Sequence, residues 1–373
     1  MPLTINQKIR LLIVDDSIFF RKTLVSALSA DPRIEVIGTA VDAMDAMDKI
    51  QNLNPDVVTM DVEMPKLNGI DFLKKLMPIH PVPVVVVSSL PIRVLDALSA
   101  GAVEFVRKPE LKGPEIVKRF MTELTMKIRI ASNAKVSKRF TRPAPPAQAG
   151  AAPAAGVSSA AMPPSPPAPG MPVLINRGLD KNPPIIAIGA STGGTEAILE
   201  VVQNLPATTP GIVIVQHMPP VFTNMYAQRL DRICKMSVKE AAHGDRVERG
   251  KIIIGAGEYH LRLAKDASGY YVRSEPGPKV SGHCPSVDVL FESVANVAGA
   301  NAMGIILTGM GADGANNLLK MRKAGAYTVG QDKDSCVVYG MPAVAYNIGG
   351  VQKQLPLSEI GPEIIRYLNS RKS

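Results

Sequence analysis

Short, almost wholly apolar runs alternate with amphipathic segments through the first 130 residues. The apolar runs lie in KIRLLIVDD, IEVIGTA, DVVTMD, VPVVVVSS and VEFVRKP, and the segments SIFFRKTLVSALSA and DAMDAMDKIQNL carry apolar residues at helical spacing. An unbroken apolar run is typical of a strand buried on both faces, whereas a spacing of three to four predicts a helix that packs on the sheet. Five strand–helix pairs in about 125 residues predict a doubly wound parallel sheet.

The same alternation returns after residue 180. The strand candidates are IIAIGAS, GIVIVQH, KIIIGAG, YYVRSE, AMGIILTG and AYTVGQD, and the helix candidates are TEAILEVVQNL, MYAQRLDRI, VDVLFESVAN and ANNLLKMRKA. This pattern predicts a second α/β domain whose sheet is mostly parallel. The region from KIIIGAG to YYVRSE has the pattern of a hairpin, so we expect some antiparallel pairing and a mixed sheet.

The segment between these two regions has a different composition. RPAPPAQAGAAPAAGVSSAAMPPSPPAPGMP is dominated by proline and alanine, and the basic stretch KIRIASNAKVSKRFTR before it contains no acidic residue. Proline denies the segment helix and sheet hydrogen bonds, and few of its side chains are large enough to form a core. We therefore divide the chain into a first domain over 1–130, a basic and then Pro/Ala-rich linker over 131–180, and a second domain over 181–373.

The composition indicates a soluble, cytoplasmic protein. The chain is 46% hydrophobic and 20% charged, and no apolar run approaches the roughly 18 residues that a spanning helix needs. Its first residues, MPLTINQKIRLLIVDD, include only a short apolar stretch that ends in two aspartates, so we expect neither a secretory signal nor membrane insertion. The three cysteines are widely spaced, which argues against a disulfide framework or a zinc site.

The net charge of +9 raises the possibility of an acidic partner such as DNA. However, the second region alternates strands and helices throughout and has no compact helix-turn-helix block with a basic recognition helix. The chain also lacks tryptophan, so aromatic platforms for single strands are not expected. We predict no nucleic-acid partner.

Charged and hydroxyl side chains follow the predicted strands of the first domain. They are Asp15 and Asp16 after the first strand, Asp61 after the third, Ser88 after the fourth and Lys108 after the fifth. Because the carboxyl ends of parallel strands meet at one edge of a sheet, these side chains are expected to lie together. Three neighbouring carboxylates favour Mg²⁺, and a lysine and a hydroxyl would complement a phosphoryl group carried by an aspartate.

The segments IVDDS, MDVEMP, VVSS and FVRKP resemble the flavodoxin-like receiver domain of two-component response regulators over about residues 8–125. The resemblance implies that Asp61 accepts a phosphoryl group from a histidine kinase. It also implies that Mg²⁺ is held by Asp15, Asp16, Asp61 and the backbone carbonyl of Glu63. By the same resemblance, the switch pair is Ser88 and Phe105, and the phosphate is contacted by Lys108.

The stretch GASTGG, directly after the strand IIAI, has three interpretations. A phosphate-binding loop would need G-x-x-x-x-G-K-[ST] or G-x-G-x-x-G, and neither spacing is present. A serine or threonine here is also a good helix cap. The third interpretation is a nucleophilic serine, Ser191, in a G-x-S-x-G turn.

Two further side chains favour the nucleophile. His217 directly follows the apolar strand of GIVIVQH, and Asp313 lies in the glycine-rich turn after AMGIILTG. A serine, a histidine and an aspartate beyond the ends of three parallel strands predict acyl-transfer chemistry of the Ser-His-Asp type. The backbone N–H of Thr192, and that of Met310 as the second donor, are our candidates for the oxyanion site. No cofactor is expected for this chemistry.

The order Ser…His…Asp differs from that of α/β-hydrolases, but residues 184–365 resemble the catalytic domain of the CheB family of chemotaxis protein-glutamate methylesterases. The matching segments are IGASTGGTEAI, QHMPPVFT, HCPSVDVLF, ILTGMGADGA and SCVVYGMP. The resemblance implies a Rossmann-like hydrolase domain that demethylates methyl-accepting chemoreceptors, releases methanol and deamidates certain receptor glutamines. It also implies that the unphosphorylated receiver covers the catalytic cleft and that phosphorylation relieves this block.

Two alternatives and one departure remain at this point. The second domain could be a non-catalytic module that binds a partner on phosphorylation, or the chain could be a paralogue that acts outside chemotaxis. The departure is the long linker, because such linkers in the family are often shorter. A longer tether lowers the effective concentration of the receiver at the cleft, so we expect weaker basal inhibition than a short linker would give. The oligomeric state is not predicted.

Overall fold

A computed structural model describes residues 7–64, 67–89, 91–109, 113–136, 172–174 and 183–371. Most of the predicted linker lies outside these residues. Within the described ranges, no helix combines the length and the apolar character that a bilayer-spanning segment requires.

The N-terminal domain contains the predicted doubly wound sheet. Its strands are β1 (Ile9–Val14), β2 (Ile34–Ala40), β3 (Val57–Asp61), β4 (Val84–Ser88) and β5 (Glu104–Arg107), in the order β2-β1-β3-β4-β5. Its helices are α1 (Ile18–Leu28), α2 (Ala43–Leu53), α3 (Gly69–Ile79), α4 (Pro91–Ser99) and α5 (Pro114–Ala131). All neighbouring strands pair in parallel, so their carboxyl ends share one edge of the sheet.

The C-terminal domain is built on a seven-stranded sheet. Its strands are β6 (Ile185–Ala190), β7 (Ile212–Gln216), β8 (Ser237–Glu240), β9 (Lys251–Ile254), β12 (Ala302–Ile306), β13 (Tyr327–Gln331) and β14 (Lys353–Leu355), with β10 (Tyr259–Asp266) and β11 (Gly269–Pro276) apart from it. Its helices are α6 (Gly194–Val202), α7 (Phe222–Ile233), α8 (Val287–Val297), α9 (Ala315–Lys323), α10 (Met341–Asn347) and α11 (Leu357–Ser370). The sheet order β14-β13-β12-β6-β7-β9-β8 places β6 in the centre, between β12 and β7.

The expected hairpin is present, but it does not join the main sheet. Strands β10 and β11 pair with each other in an antiparallel sheet of their own. Every pair in the seven-stranded sheet is parallel, so the expectation of a mixed sheet was wrong. The apolar run of KIIIGAG is a buried parallel strand, and the hairpin begins only at Tyr259.

The two domains pack together through the edge strand β5 and the helices beside it. The Phe105 and Phe222 rings lie 4.7 Å apart between centroids. The Lys135 amide, just after α5, donates to the Val337 carbonyl at 2.8 Å. Valines of the C-terminal domain thereby extend the apolar core of the N-terminal domain, which also contains residues of α1 and α5. The domain contact lies close to GASTGG, since Val337 packs against Gly193.

Candidate functional sites on the two sheet edges

The acidic cluster of the first domain forms as predicted at the carboxyl ends of β1 and β3. One carboxylate oxygen from each of Asp15, Asp16 and Asp61 lies within 4.8 Å of the others. Lys108 Nζ donates to Asp61 Oδ2 at 2.7 Å and to Asp15 Oδ2 at 3.0 Å. The Glu63 amide donates to the second oxygen of Asp61 at 2.9 Å. The cluster therefore holds three carboxylates and one lysine that bonds to two of them, a charge balance that suits a divalent cation bound by oxygen ligands.

Burial changes the ionisation of this cluster. Burial raises the pKa of Asp15. The hydrogen bond from Lys108 acts to lower this pKa, and the negative charge of Asp61 acts to raise it. Burial alone would lower the pKa of Lys108, but its bonds to Asp61 and Asp15 outweigh burial and raise it. The ammonium group is therefore held in its charged form beside Asp61, where an incoming phosphoryl group would need a cation.

The two switch candidates lie in different surroundings. Ser88 is buried at the end of β4, in register with Arg107 of β5. Phe105 is buried in the domain contact against Phe222, the first residue of α7. Sequence reasoning did not foresee that contact, because nothing in the local sequence of Phe105 specifies what covers it.

The register of the second sheet brings Ser191 and His217 together. Ala190 of β6 pairs with Gln216 of β7, and Ser191 and His217 each follow their strand by one residue. Neighbouring strands lie about 4.8 Å apart, so the two residues start side by side. The Ser191 amide donates to Thr308 O at 3.0 Å, and its carbonyl accepts from Gln216 Nε2 at 2.9 Å. The backbone of the candidate nucleophile is thus held by both neighbouring strands.

Glycines shape the turn around Ser191. Gly193 has φ 75°, in the left-handed region, and a Cβ there would lie 2.7 Å from Val337. A Cβ on Gly309, at the end of the neighbouring strand, would lie 2.7 Å from Ser191 Cβ. Helix α6 begins at Gly194 with Gly193 as its N-cap and no side-chain capping bond, so the helix-cap interpretation of Ser191 and Thr192 was wrong.

Asp313 is bonded to His217 and fixed by the start of helix α8. His217 Nε2 lies 2.8 Å from Asp313 Oδ2. The Val287 amide donates to that same oxygen at 2.7 Å, while the Ser286 hydroxyl and the Asp288 amide donate to Oδ1 at 2.7 and 3.0 Å. Four donors converge on one buried carboxylate, so its position and orientation are tightly determined.

These contacts keep Asp313 ionised. Burial by itself would raise the pKa of Asp313, but the hydrogen bonds from His217, Ser286 and the Asp288 amide outweigh it and lower the pKa to about 2. An ionised carboxylate can only accept hydrogen bonds, so Nε2 of a neutral His217 must carry the proton. The lone pair then lies on Nδ1, which is buried and has no hydrogen-bond partner among the described residues. The basic nitrogen of this site is Nδ1.

The structure also locates the candidate oxyanion donors. Within the described ranges, the backbone N–H groups of Thr192 and Met310 donate no hydrogen bond, whereas the Ser191 amide is bonded to Thr308. Met310 is half-exposed at the edge of the site. The Thr192 hydroxyl donates a hydrogen bond to the Glu104 carboxylate of the N-terminal domain. One of the predicted donors is thus next to a side chain that reaches across the domain contact.

Four residues of the site were missed by sequence reasoning. His283 stacks on His217, and Ser286 bonds to Asp313. Gln216 bonds to the Ser191 carbonyl, and Glu104 bonds to Thr192. His283 and Ser286 lie in HCPSVDVLF, a segment that carried only the family resemblance. Gln216 had a usable signal, because a polar side chain at the end of an apolar parallel strand points to the same edge as His217.

Comparisons with known proteins identify relatives of both domains. Two family models match, the response regulator receiver domain over residues 11–121 and CheB methylesterase over residues 186–364. A protein-glutamate methylesterase/protein-glutamine glutaminase 2 of Syntrophomonas wolfei is 51% identical over 367 residues, which are 97% of this chain and 98% of the relative. A protein of the same activity name from Syntrophotalea carbinolica is 47% identical over 372 residues, 98% of this chain and 99% of the relative.

Among solved structures, the crystal structure of the Thermotoga maritima CheB methylesterase catalytic domain is 35% identical, with a TM-score of 0.49, over 50% of this chain and 99% of that chain. The two relatives from Syntrophomonas wolfei and Syntrophotalea carbinolica match this chain across both domains. The chain therefore belongs to the CheB methylesterase family, with an N-terminal response regulator receiver domain.

Proposed function

We propose that this enzyme hydrolyses glutamate methyl esters in proteins and deamidates protein glutamines, with Ser191 as nucleophile, His217 as general base and Asp313 as the residue that orients it. The family and the names of its full-length relatives support the activity. The single observation that supports the residue assignment is the ionised Asp313 on His217 Nε2, since it leaves the lone pair on Nδ1, and His217 follows the strand next to that of Ser191.

The reaction follows from these positions. His217 Nδ1 takes the hydroxyl proton of Ser191 while Oγ bonds to the ester carbonyl carbon, and Asp313 stabilises the imidazolium that forms. The tetrahedral intermediate collapses, its bond to the methoxy oxygen breaks, and His217 returns the proton to release methanol. Water then attacks the glutamyl–serine ester while Nδ1 takes one of its protons. The bond from the acyl carbon to Ser191 Oγ breaks, His217 returns the proton to Oγ, and the glutamate side chain of the substrate protein leaves as a carboxylic acid.

The oxyanion of the tetrahedral intermediate would accept hydrogen bonds from the backbone N–H groups of Thr192 and Met310. One such donor is typically worth about 3 kcal/mol in the transition state. A glutamine substrate passes through the same oxyanion, so one site serves both reactions. Ammonia is the poorer leaving group, so deamidation depends more strongly on His217 as general acid.

The acidic cluster of the receiver fits phosphorylation of Asp61. Asp15, Asp16 and Asp61, together with the Glu63 carbonyl, would hold Mg²⁺, which offsets the negative charge of an incoming phosphoryl group. Lys108, already bonded to Asp61, would then pair with a phosphate oxygen. A histidine kinase would supply the phosphoryl group.

The contact between the domains supports an inhibitory role for the unphosphorylated receiver. Glu104 of β5 bonds to the hydroxyl of Thr192, the residue after the nucleophile. The next residue of the same strand, Phe105, packs on Phe222 of the catalytic domain. A rearrangement of β5 on phosphorylation of Asp61 would therefore act directly on both contacts and open the catalytic site.

By the family relationship, the substrates are methyl-accepting chemoreceptors, and the reaction takes place in the cytoplasm, where their methylated segments lie. All three cysteines are free thiols, in agreement with a reducing compartment. A paralogue serving another pathway would have the same chemistry and a different methylated protein as substrate. Methanol release from membranes that contain different candidate receptors distinguishes the two.

The decisive experiment is Ser191→Ala, with methanol release from methylated receptor membranes as the assay. The variant should fold normally and lose the activity, because no other group in this mechanism bonds to the carbonyl carbon. Ser268→Ala, at an exposed serine in the turn between β10 and β11, is a control that should retain it. Activity in Ser191→Ala would refute the assignment, and an inactive wild-type protein that still binds receptors would favour the binding-module alternative.

A further inference from the structure

A second histidine, His283, covers one face of the general base. The rings of His283 and His217 stack with their centroids 3.7 Å apart and their planes 8° apart. The His217 side chain is only 7% exposed, so the stack is part of a packed site. Asp313 bonds to the edge of the His217 ring, whereas His283 contacts its face. The two contacts restrain different rotations of the same imidazole.

The backbone that presents His283 is itself well held. Val280 and His283 exchange two hydrogen bonds of 3.0 and 2.9 Å across Ser281 and Gly282. These two central residues have φ of 52° and 83°, as in the type I′ turn of a tight hairpin. The Ser281 hydroxyl also lies 3.2 Å from a carboxylate oxygen of Asp288, in the first turn of α8. His283 thus lies on a fixed turn that is joined to the helix that binds Asp313.

His283 is also suited to this position by its charge. Burial, followed by the positive charge of His217, lowers the pKa of His283 to about 4. Lys127 of the receiver and Lys279 act in the same direction, and Asp313 opposes them. The His283 ring is therefore neutral at physiological pH. A neutral ring does not repel His217 when His217 takes up the serine proton, and its π face attracts that cation.

We propose that His283 is a positioning residue for the general base: its flat ring holds His217 in the plane in which Nε2 meets Asp313. In that plane, Nδ1 is the nitrogen without a bonded partner, at the sheet edge that His217 shares with Ser191. This inference rests on the proposed esterase mechanism. The effect is large, because displacement of a reacting group by about 1 Å costs on the order of a hundredfold in rate.

Two substitutions separate the flat ring from its nitrogens. His283→Phe keeps a planar surface against His217, whereas His283→Leu replaces it with a branched side chain that is not planar. We expect kcat for methanol release to stay within about threefold of wild type in His283→Phe and to fall roughly ten- to a hundredfold in His283→Leu, with KM within about twofold in both. Equal losses in the two variants, or no loss in either, would overturn the proposal.

The full-length protein with ¹⁵N-labelled histidine gives a readout that does not depend on activity. The ring nitrogens of His217 should report a single Nε2-protonated tautomer in wild type and in His283→Phe, and a mixture in His283→Leu. The same single tautomer in all three proteins would refute the role of the stack. If His283→Leu does not fold, as judged by its thermal melt, His283→Met supplies the non-planar comparison. A wild-type enzyme without esterase activity would refute the proposed function, whereas the tautomer comparison would still test the stack.

Discussion

Replacement of Glu104 by alanine should weaken the closure of the receiver on the catalytic domain. The Glu104 carboxylate accepts hydrogen bonds from the Thr192 hydroxyl across the contact and from Lys127 Nζ within the receiver, at 2.7 Å for the latter, and the residue is only 6% exposed. A hydrogen bond to a charged group contributes about 1.5–3 kcal/mol. Loss of the bond to Thr192 should therefore shift the equilibrium between closed and open enzyme by roughly 10- to 100-fold.

The assay is methanol release by the full-length protein without a phosphodonor. Glu104→Ala should raise this basal activity toward that of the open enzyme, a gain of less than about tenfold if inhibition across the linker is weak. Glu115→Ala, which removes an exposed carboxylate at the start of α5, is the matched control and should leave basal activity unchanged. Glu104→Gln keeps the shape and one acceptor oxygen, so it should fall between wild type and Glu104→Ala.

The methanol-release activity of residues 175–373 alone sets the upper limit of the gain expected in Glu104→Ala. The same measurement tests the linker hypothesis. Weak inhibition across the long tether predicts that removal of the receiver raises activity by less than about tenfold. A much larger gain would contradict the linker hypothesis. If that gain is large and Glu104→Ala still behaves as wild type, the hydrogen bond to Thr192 does not stabilise the closed form, and the reasoning from the contact is wrong.

Two further predictions concern the aspartates of the two sheet edges. Asp313→Asn should nearly abolish methanol release, because the amide turns an N–H group toward groups that themselves donate hydrogen bonds to the carboxylate. In the wild type, the ionised Asp313 carboxylate should also contribute about 2 kcal/mol to folding, fully present above pH 3.8 and lost as the pH falls through about 2. The difference in unfolding free energy between wild type and variant, measured with urea, should therefore narrow in that pH window. Asp61→Asn should retain basal activity but lose activation by a small-molecule phosphodonor; activation in Asp61→Asn would place the phosphoryl acceptor elsewhere.

Much of the architecture was predictable because buried parallel strands leave a strong signal. Runs such as IIAI and IVIV are apolar on both faces, so their positions and their parallel pairing follow from composition and order. The ends of those runs then identified Asp61, Ser191 and His217, because carboxyl ends of parallel strands meet at one edge. The hairpin was harder to predict, since KIIIGAG is apolar and close in sequence to two further strands.

The tertiary structure alone decided how these residues work together. An imidazole has two ring nitrogens, and which one carries the proton depends on its hydrogen-bond partner, so only the contact with Asp313 shows that the lone pair of a neutral His217 lies on Nδ1. The His283 stack depends on a turn whose residues have no periodic pattern. The contact between Glu104 and Thr192 joins residues 88 positions apart in two domains. The sequence by itself determined which side chains reach each sheet edge, whereas their partners were decided by loops and by a domain contact that local sequence patterns do not encode.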